Sequence, residues 1–470
     1  MTVAKNNKEE IILIYTRPWF YYFYRALGNY FHFFFKKNII FISDYQCKNS
    51  LHLSPTKHEI ISTNISGFNI SSSKNSSYLD IISRDRLLRT LEIEDAIKIL
   101  IAYEKKIDLL LETYSVSFCF SATIDQFFVD LLTLKCIQSD IPVIGYHLSV
   151  IPGYTLFTLR GEKNKFKEVE FDEVLKNIQI LSRSDFRPNY IPNANKVIIS
   201  GWITFFKNLL RYVYFKLLNL FSIHFNYHYE VNALGNNYYG QLLGLKYLLN
   251  TNLNSQISSD IYIPLQLHPE CNSEYWHRSN QYVPYEEMII DLCVQYSPLY
   301  KIVLKEHPNM VGVRDVSFYN HIKKSGALLA SIHLDNRMLI AQSKFVLTLN
   351  SSAGIEALVF DKDVICLSKP YYLTPYHLSK AVLEDGLENF KHKTEKISEV
   401  QSTPIYQAIK NTIECSSPVT LPDTNSAFKK KSTDEINTII QTFTRDVECL
   451  LNNYSKPSVA EMYTIKKIGN

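Results

Sequence analysis

The chain has 470 residues and a formal net charge of +4; 46% of its residues are apolar and 20% are charged. This composition is typical of a globular protein and excludes a disordered or fibrous chain, and the length indicates two or three domains. The charge is too close to zero to indicate nucleic-acid binding, so we expect no nucleic acid among the partners.

Short apolar strands alternate with helical segments in the first half of the chain. Strand, helix and strand at this spacing predict a parallel α/β sheet. A Ser- and Asn-rich segment, Lys48–Ser77, is expected to be a loop or an insertion. We expect strands at Ile11–Tyr15, Asn38–Ser43, Ile107–Glu112 and Ile141–Tyr146, and helices at Trp19–Phe35, Arg84–Lys105 and Ile124–Ser139.

The second half repeats the α/β pattern after an Asn-rich joint near Asn232–Ser259. The tail from about Lys391 has no strong strand signal, and its best element is a helix at Ser432–Asn452 that begins with a capping box. We expect strands at Asp260–Leu267 and Asp363–Ser368, strands that run into loops at Tyr300–Pro308 and Lys344–Ser352, and helices at Pro284–Tyr296, Asp335–Ala341 and Ala353–Phe360.

Between the two halves, Trp202–Tyr229 has the pattern of an amphipathic helix rich in aromatic residues. Lys207, Arg211 and Lys216 fall on one half of this helix, and Trp202 lies with most apolar residues on the other half. Such a helix either lies in the membrane surface, where basic and aromatic residues are favoured, or packs on its own domain while its cations reach solvent. Both interpretations stay open at this point.

Polar residues follow three strands of the second half, and open parallel sheets bind ligands at such strand ends. The chain has no Gly-rich phosphate loop, so a bound phosphate needs other donors. The residues are Glu270 after the first strand, Lys305, His307 and Pro308 after the second, and Asn350, Ser351 and Ser352 after the third.

The chemistry of these residues suits a ligand whose phosphate leaves. Ser351 and Ser352 precede a helix, so their hydroxyls and the first helical amides are candidates to bind a phosphate, although one serine also suits a helix cap. With His307 they would stabilise departing negative charge, which makes a metal unnecessary. Glu270, and Glu112 at the end of a first-half strand, are candidates for a base or a nucleophile.

The order of these motifs resembles the bacterial capsule polysaccharide biosynthesis family, which includes Kdo transferases. The resemblance rests on I-P-L-Q-L-x-P-E, K-E-H-P and N-S-S-A-G-I-E-A-L followed by Lys-Pro-Tyr-Tyr, and it covers about Tyr262–Tyr372. A weaker match covers the opening strand, its aromatic helix and Ser83–Arg89. The H-P and S-S pairs also resemble motifs of bacterial sialyltransferases, which use CMP-activated sugars.

The resemblance implies a GT-B-like fold, in which two Rossmann-like domains with parallel sheets face each other across a cleft. The implied domains are 1–200, which binds the acceptor, 201–258, the amphipathic helix and linker, 259–390, which binds the nucleotide sugar, and 391–470, a helical tail that packs back on the first domain.

The resemblance also implies roles for single residues. His307 and Pro308 would lie at the nucleotide phosphate or base, Ser351 and Ser352 would bind the phosphate, and Glu356 would accept the ribose hydroxyls. At the position of Glu270, retaining Kdo transferases carry an acid that is implicated as the nucleophile; this chain departs from them in having Glu where Asp is usual.

We therefore expect a glycosyltransferase of capsular polysaccharide or lipopolysaccharide synthesis. It would transfer Kdo or a related acidic sugar from a CMP-sugar to a glycan or lipid-linked acceptor, with no metal and no cofactor beyond this donor. We expect a cytoplasmic protein, peripheral on the inner face of the cytoplasmic membrane. Two alternatives stay open: a UDP-, GDP- or dTDP-sugar donor, and a non-catalytic glycan-binding component of capsule assembly or export.

Overall fold

The computed structural model describes residues 8–63, 73–183, 185–186, 194–221, 237–251, 258–277, 284–368, 370–372, 381–387, 400–422 and 424–463. These residues form two α/β units, each built on its own sheet, and the C-terminal residues pack on the first unit. The expected GT-B-like class, with parallel sheets, a cleft and a helical tail, is confirmed.

Strands and helices alternate along most of the chain. The strands are β1 (Glu10–Tyr15), β2 (Asn38–Ser43), β3 (Leu51–His52), β4 (Ser115–Ala122), β5 (Val143–Leu148), β6 (Thr155–Phe157), β7 (Ser259–Pro264), β8 (Ile302–Lys305), β9 (Leu328–Leu329), β10 (Ser343–Thr348), β11 (Asp363–Cys366) and β12 (Ser416–Ser417).

The helices cover the faces of both sheets. They are α1 (Tyr21–Phe35), α2 (Lys57–Ser62), α3 (Ser73–Arg84), α4 (Ile93–Thr113), α5 (Phe127–Gln138), α6 (Phe171–Ser182), α7 (Ala194–Phe221), α8 (Tyr238–Leu249), α9 (Cys271–Glu274), α10 (Tyr285–Tyr296), α11 (Val316–Lys324), α12 (Asn336–Ala341), α13 (Ala353–Val359), α14 (Ala381–Asp385), α15 (Pro404–Glu414), α16 (Asn425–Lys429), α17 (Thr433–Asn452) and α18 (Val459–Met462), with 3₁₀ turns at Leu88–Thr90, Pro308–Met310 and Val400–Ser402.

In the part of the chain that is described, the first sheet has seven strands in the order β12-β6-β5-β4-β1-β2-β3. The central strands run parallel, while β6 and β12 join antiparallel at one edge. Residues 11–14 of β1 are completely buried because helices cover both faces of the sheet, which is typical of a central parallel strand.

The second sheet is entirely parallel over its described strands, with the order β11-β10-β7-β8-β9. The chain proceeds outward from β7 to β9 and then returns past β7 to form β10. The strand order therefore reverses beside β7, and the carboxyl ends of β7, β8 and β10 flank the crevice in which such sheets bind ligands.

The C-terminal residues pack on the first unit. Helix α17 begins with the expected capping box, in which Ser432 and Glu435 bond each other's backbone amides. Its apolar face, which includes Ile436, Ile440 and Phe443, is buried beside α1. The tail also supplies β12 to the edge of the first sheet.

One expected strand is wrong. Residues Ile107–Glu112 belong to helix α4, and the strand follows as β4. Tyr103, Ile107 and Leu110 are buried at helical spacing while Leu109 is 65% exposed. A short apolar run is compatible with both elements, and here a continuous helical stripe of core contacts decides for the helix.

Several segments expected to be irregular are partly described. Lys48–Ser77 contains β3, α2 and the start of α3, while 64–72 lie outside the described residues. The joint near Asn232–Ser259 contains α8, and 232–236 and 252–257 lie outside them. The amphipathic helix is α7, which is described as far as Phe221. Among the described residues, no helix combines the length and the apolar character needed to cross a bilayer.

Candidate functional site

The two units are joined by residues at the end of α9 and just after it. Arg84 Nη1 donates to the carbonyl of His277 at 2.8 Å, and Arg86 forms an ion pair with the buried carboxylate of Glu274. Tyr275 Oη donates to the Asp85 carboxylate at 3.0 Å. These contacts hold the loop after β7 against the first unit and define the floor of the cleft.

A cavity of about 330 Å³ lies at the carboxyl end of the second sheet; we call it the cleft cavity. His147, at the end of β5, contributes to its wall from the first unit. The structure brings together in this cavity all eight residues predicted from the second half of the chain: Glu270, Lys305, His307, Pro308, Asn350, Ser351, Ser352 and Glu356.

Asn350 holds the cavity together through its own hydrogen bonds. Its Oδ1 accepts from Gln266 Nε2 at 3.0 Å, and its Nδ2 donates to the carbonyls of Asn272 at 2.7 Å and Trp276 at 3.1 Å. Since the side-chain amide is buried and engaged with protein groups, it positions the loops after β7 and β10.

The serine pair lies between β10 and α13. Ser351 Oγ is 2.8 Å from Thr348 Oγ1, and Ser352, the residue before α13, makes no side-chain capping bond. Helix capping by its side chain is therefore not the role of Ser352. Because α13 has only seven residues, the hydroxyls and not a helix dipole are the candidate anion contacts here.

His307 is neutral in this environment. Burial, together with the neighbouring charges of Arg314 and Lys305, lowers its pKa to about 4. Its Nδ1 accepts the backbone N–H of Asn309 at 3.2 Å, so the neutral ring carries its proton on Nε2. His307 thus offers a hydrogen-bond donor, and the fixed positive charge of the cavity comes from Lys305 and Arg337.

Glu356 is held by a relay of hydrogen bonds from β7. Tyr262 Oη donates to Asn336 Oδ1, and Asn336 Nδ2 donates to the Glu356 carboxylate at 3.2 Å. Burial raises the pKa of Glu356 despite this bond. Asn336 and Arg337 also line the cavity and were not predicted as site residues. The sequence indicated them only through their position at the start of a short helix that follows the two-residue strand β9.

Glu270 lies at the start of α9 and is half-buried. Burial raises its pKa to about 7, although Asn272 and Arg86 act in the opposite direction. Glu274 has a similarly raised pKa, also through burial, but it is bound by Arg86 and Arg89. Glu274 is therefore occupied with interdomain contacts, whereas Glu270 lines the cavity.

His147 approaches from the opposite side of the cleft. Burial lowers its pKa, and its Nδ1 lies 2.8 Å from the carbonyl of Leu148. This bond requires the proton on Nδ1 and leaves Nε2 as an acceptor in the neutral ring. His147 contacts Trp276 edge-on, with 4.9 Å between the ring centroids.

The proposed contribution of Glu112 to the site is wrong. Glu112 is exposed in the last turn of α4, which leads into the amino end of β4. It therefore lies at the edge of the sheet opposite to the cleft.

The carboxyl edge of the first sheet carries polar residues that sequence reasoning missed. Arg17, after β1, forms a bidentate pair with Asp125, after β4, at 2.6 and 2.8 Å. Asp44, after β2, accepts bonds from Tyr15 and Gln126, and burial raises its pKa to about 6. A search for polar residues just after the predicted strands of the first half would have found Arg17 and Asp44. It would have missed Asp125, because the strand that precedes this residue was predicted at Ile107–Glu112.

Helix α7 presents an apolar face to solvent. Lys207, Arg211 and Lys216 are exposed, and Trp202 is half-buried. The apolar face comprises Ile199, Ile203, Phe206, Leu210, Val213, Tyr214, Leu217, Leu220 and Phe221, which are all between 48% and 85% exposed.

Comparison with solved structures finds distant likenesses. The chain is 11% identical to a KpsC β-Kdo 2,4 transferase of Thermosulfurimonas dismutans, with 69% of this chain and 88% of that chain covered and a TM-score of 0.32. It is 14% identical to the UDP-GlcNAc 2-epimerase of Methanocaldococcus jannaschii, with coverage of 86% and 98% and a TM-score of 0.22. No curated protein matches the sequence.

A family model gives the more specific result. Residues 285–401, which include β8, β10 and the serine pair, match the model of the capsule polysaccharide biosynthesis protein. The resemblance seen in the motifs is thus confirmed over this segment.

Proposed function

We propose that the protein is a glycosyltransferase of capsule polysaccharide biosynthesis that binds a nucleotide sugar in the cleft cavity. The observation that carries this proposal is the position of Glu270. This carboxyl group lines the cleft cavity and also an adjoining cavity of about 280 Å³, which reaches Arg17 and Arg86 of the first unit. A reacting carbon near Glu270 is therefore accessible to a donor on one side and to an acceptor on the other.

The cleft cavity suits the departure of a nucleotide phosphate. The hydroxyls of Ser351 and Ser352 and the Nε2–H of His307 would donate hydrogen bonds to that phosphate, while Lys305 and Arg337 supply positive charge. As the bond between the anomeric carbon and the phosphate oxygen breaks, its electron pair leaves with the phosphate. Donors and cations fixed beforehand around that oxygen lower the barrier.

Glu270 suits either of two roles. As a base, it takes the proton of the acceptor hydroxyl while that oxygen attacks the anomeric carbon. As a nucleophile, its carboxylate bonds to the anomeric carbon, and the acceptor oxygen then displaces it. A pKa of about 7 leaves a large fraction of the group ionised at neutral pH in both cases.

The family resemblance favours CMP as the nucleotide and Kdo or a related acidic sugar as the transferred group. In this proposal Glu356, held by Asn336, accepts the ribose hydroxyls of such a donor. A UDP-, GDP- or dTDP-sugar would use the same cavity. It differs from a CMP-sugar in carrying two phosphates instead of one for the serine pair and the cations to bind.

Helix α7 supports a peripheral position on the cytoplasmic membrane. Its exposed apolar face is suited to enter the interfacial region, and Lys207 and Lys216 are suited to meet anionic headgroups. The acceptor of this proposal is accordingly a glycan or a lipid-linked glycan at that surface.

Thermal-shift titrations with CMP, CDP, UDP, GDP and dTDP test the proposed function. Ligand that binds the folded state raises its melting temperature. We expect CMP to raise it in wild type and in the surface control His321→Ala, and to lose most of this effect in His307→Ala and Ser351→Ala. A shift with a nucleoside diphosphate alone would replace the CMP donor, and no shift combined with glycan binding would favour the non-catalytic component.

A further inference from the structure

A second cavity, of about 360 Å³, lies between the first unit, α7 and the loop after β7; we call it the arginine pocket. Arg17, Arg86 and Arg211 line it from three separate parts of the chain, together with Asp125 and His268. We propose that the arginine pocket binds an anionic group, a phosphate or a carboxylate, of the sugar acceptor. This inference rests on the proposed transferase function.

The charges of the pocket favour an anion. Three guanidinium groups face one carboxylate, that of Asp125, among the lining residues. Arg86 has a further partner in Glu274, but Glu274 is shared with Arg89, which offsets its charge. Among the described residues that line the pocket, guanidinium groups thus outnumber carboxylates by two, and charge-assisted bonds from guanidinium groups are strong and directional.

Two of the guanidinium groups are already oriented. Arg17 is 12% exposed and is held by both oxygens of Asp125 and by Tyr15, whose hydroxyl accepts from Nε at 2.9 Å. Arg86 is held by Glu274 and by the carbonyl of Asp125 at 3.1 Å. An incoming anion therefore meets side chains that lose little conformational freedom on binding.

The pocket connects with the reacting centre. Arg17, Arg86 and Asp125 also line the adjoining cavity of about 280 Å³, in which they meet Glu270 and His147. An acceptor whose anionic group lies between the arginines can thus place a hydroxyl at Glu270, beside the cleft cavity.

Helix α7 forms the remaining wall. Thr204, Asn208 and Arg211 share one face at helical spacing and line the pocket. Ile203 and Leu210 are 60% and 70% exposed on the other side of the same turns. The pocket and the exposed apolar face thus lie on two sides of α7. An acceptor whose lipid contacts the apolar face needs to pass only across α7 to place its anionic group in the arginine pocket.

The experiment measures binding of small anions by saturation-transfer NMR. Glycerol 3-phosphate probes a phosphate of a lipid or linker, and glucuronate probes the carboxylate of an acidic sugar, with glycerol and glucose as neutral references. Arg211→Gln is the test variant because the Arg211 side chain is exposed and its replacement leaves the core intact. Arg445→Gln, exposed on α17, is the matched control.

We expect at least one anion to bind wild type and Arg445→Gln, and its signal to fall at least threefold in Arg211→Gln, while the neutral references stay silent. The anion that binds identifies the acceptor group. Absence of anion binding in wild type, or equal binding in both variants, overturns the proposal. CMP titrated into the same samples separates the two claims: CMP binding without anion binding refutes the arginine pocket alone, and anion binding without CMP binding refutes the CMP donor alone.

Discussion

Gln266 and Asn350 join the carboxyl ends of β7 and β10 through a bond of 3.0 Å between Nε2 and Oδ1. Gln266 Oε1 also accepts the amides of Leu349 and Asn350, at 3.2 and 3.4 Å. The pair is buried and closes one side of the cleft cavity. It sets the distance between the loop that carries Glu270 and the loop that carries Ser351.

Asn350→Ala removes this link and takes a donor from the carbonyls of Asn272 and Trp276, of which the Trp276 carbonyl still accepts from Ser368 Oγ. We expect the free energy of unfolding to fall by about 1–3 kcal/mol, because buried polar groups lose hydrogen bonds. Urea denaturation measures the change. Asn453→Ala, at an exposed helix end, is the control, and an equal loss in both variants would contradict a role for Asn350 in holding the cavity.

Glu270→Gln keeps the size of the side chain and removes its charge. We expect turnover to fall by about 10²-fold or more with nucleotide affinity little changed, because the group acts on the reacting centre. In wild type, turnover should rise as the pH passes through about 7, where Glu270 ionises. Glu287→Gln on the surface of α10 is the control, and a variant that retains its turnover would remove Glu270 from the mechanism.

The same residue predicts a pH dependence of stability. The folded state raises the pKa of Glu270, so ionisation destabilises the fold as the pH rises from the ordinary carboxyl range through about 7. Relative to wild type, Glu270→Gln should gain stability at pH 8 compared with pH 5. Urea denaturation at both values measures this difference, and a gain that is larger at pH 5 would contradict the raised pKa.

Glu356→Ala tests recognition of the ribose. If the carboxylate accepts ribose hydroxyls, the variant should bind CMP about 10-fold or more weakly, as expected for bonds to a charged acceptor. The loss should disappear for 2′,3′-dideoxy-CMP, which lacks the hydroxyls. Calorimetric titration of both ligands measures the two affinities, and an equal loss for both would assign Glu356 a structural role through Asn336.

Phe206→Ser with Leu210→Ser tests the membrane face of α7. We expect the double variant to lose most of its pelleting with vesicles of phosphatidylcholine and phosphatidylglycerol, because two exposed apolar side chains no longer enter the interface. Leu109→Ser, at an equally exposed apolar position of α4, is the control. Undiminished pelleting of the double variant would show that another surface binds the vesicles.

The double variant Lys207→Glu, Lys216→Glu tests the electrostatic contribution of α7 to vesicle binding, separately from the apolar contribution. Pelleting should fall for vesicles that contain phosphatidylglycerol and should change little for phosphatidylcholine alone. Added salt should reduce the difference between wild type and variant, because it screens exposed charges. A salt-independent loss would instead indicate damage to the helix.

The amino-acid sequence by itself determined most strands and the residues at the ends of β7, β8 and β10. Apolar runs bounded by polar residues depend on local order, so β2 was placed at its observed limits and the loops carrying His307 and Ser351 were placed at strand ends. Because parallel strands share one carboxyl edge, their loops had to converge.

The tertiary structure alone decided what these residues can do. Arg17 and Asp125 are 108 positions apart, and no local pattern pairs them. The exclusion of Glu112 from the cleft followed from helical core contacts across α4. The lowered pKa of His307 and the raised pKa of Glu270 arise first from burial, and desolvation is a property of the packed chain and not of a motif.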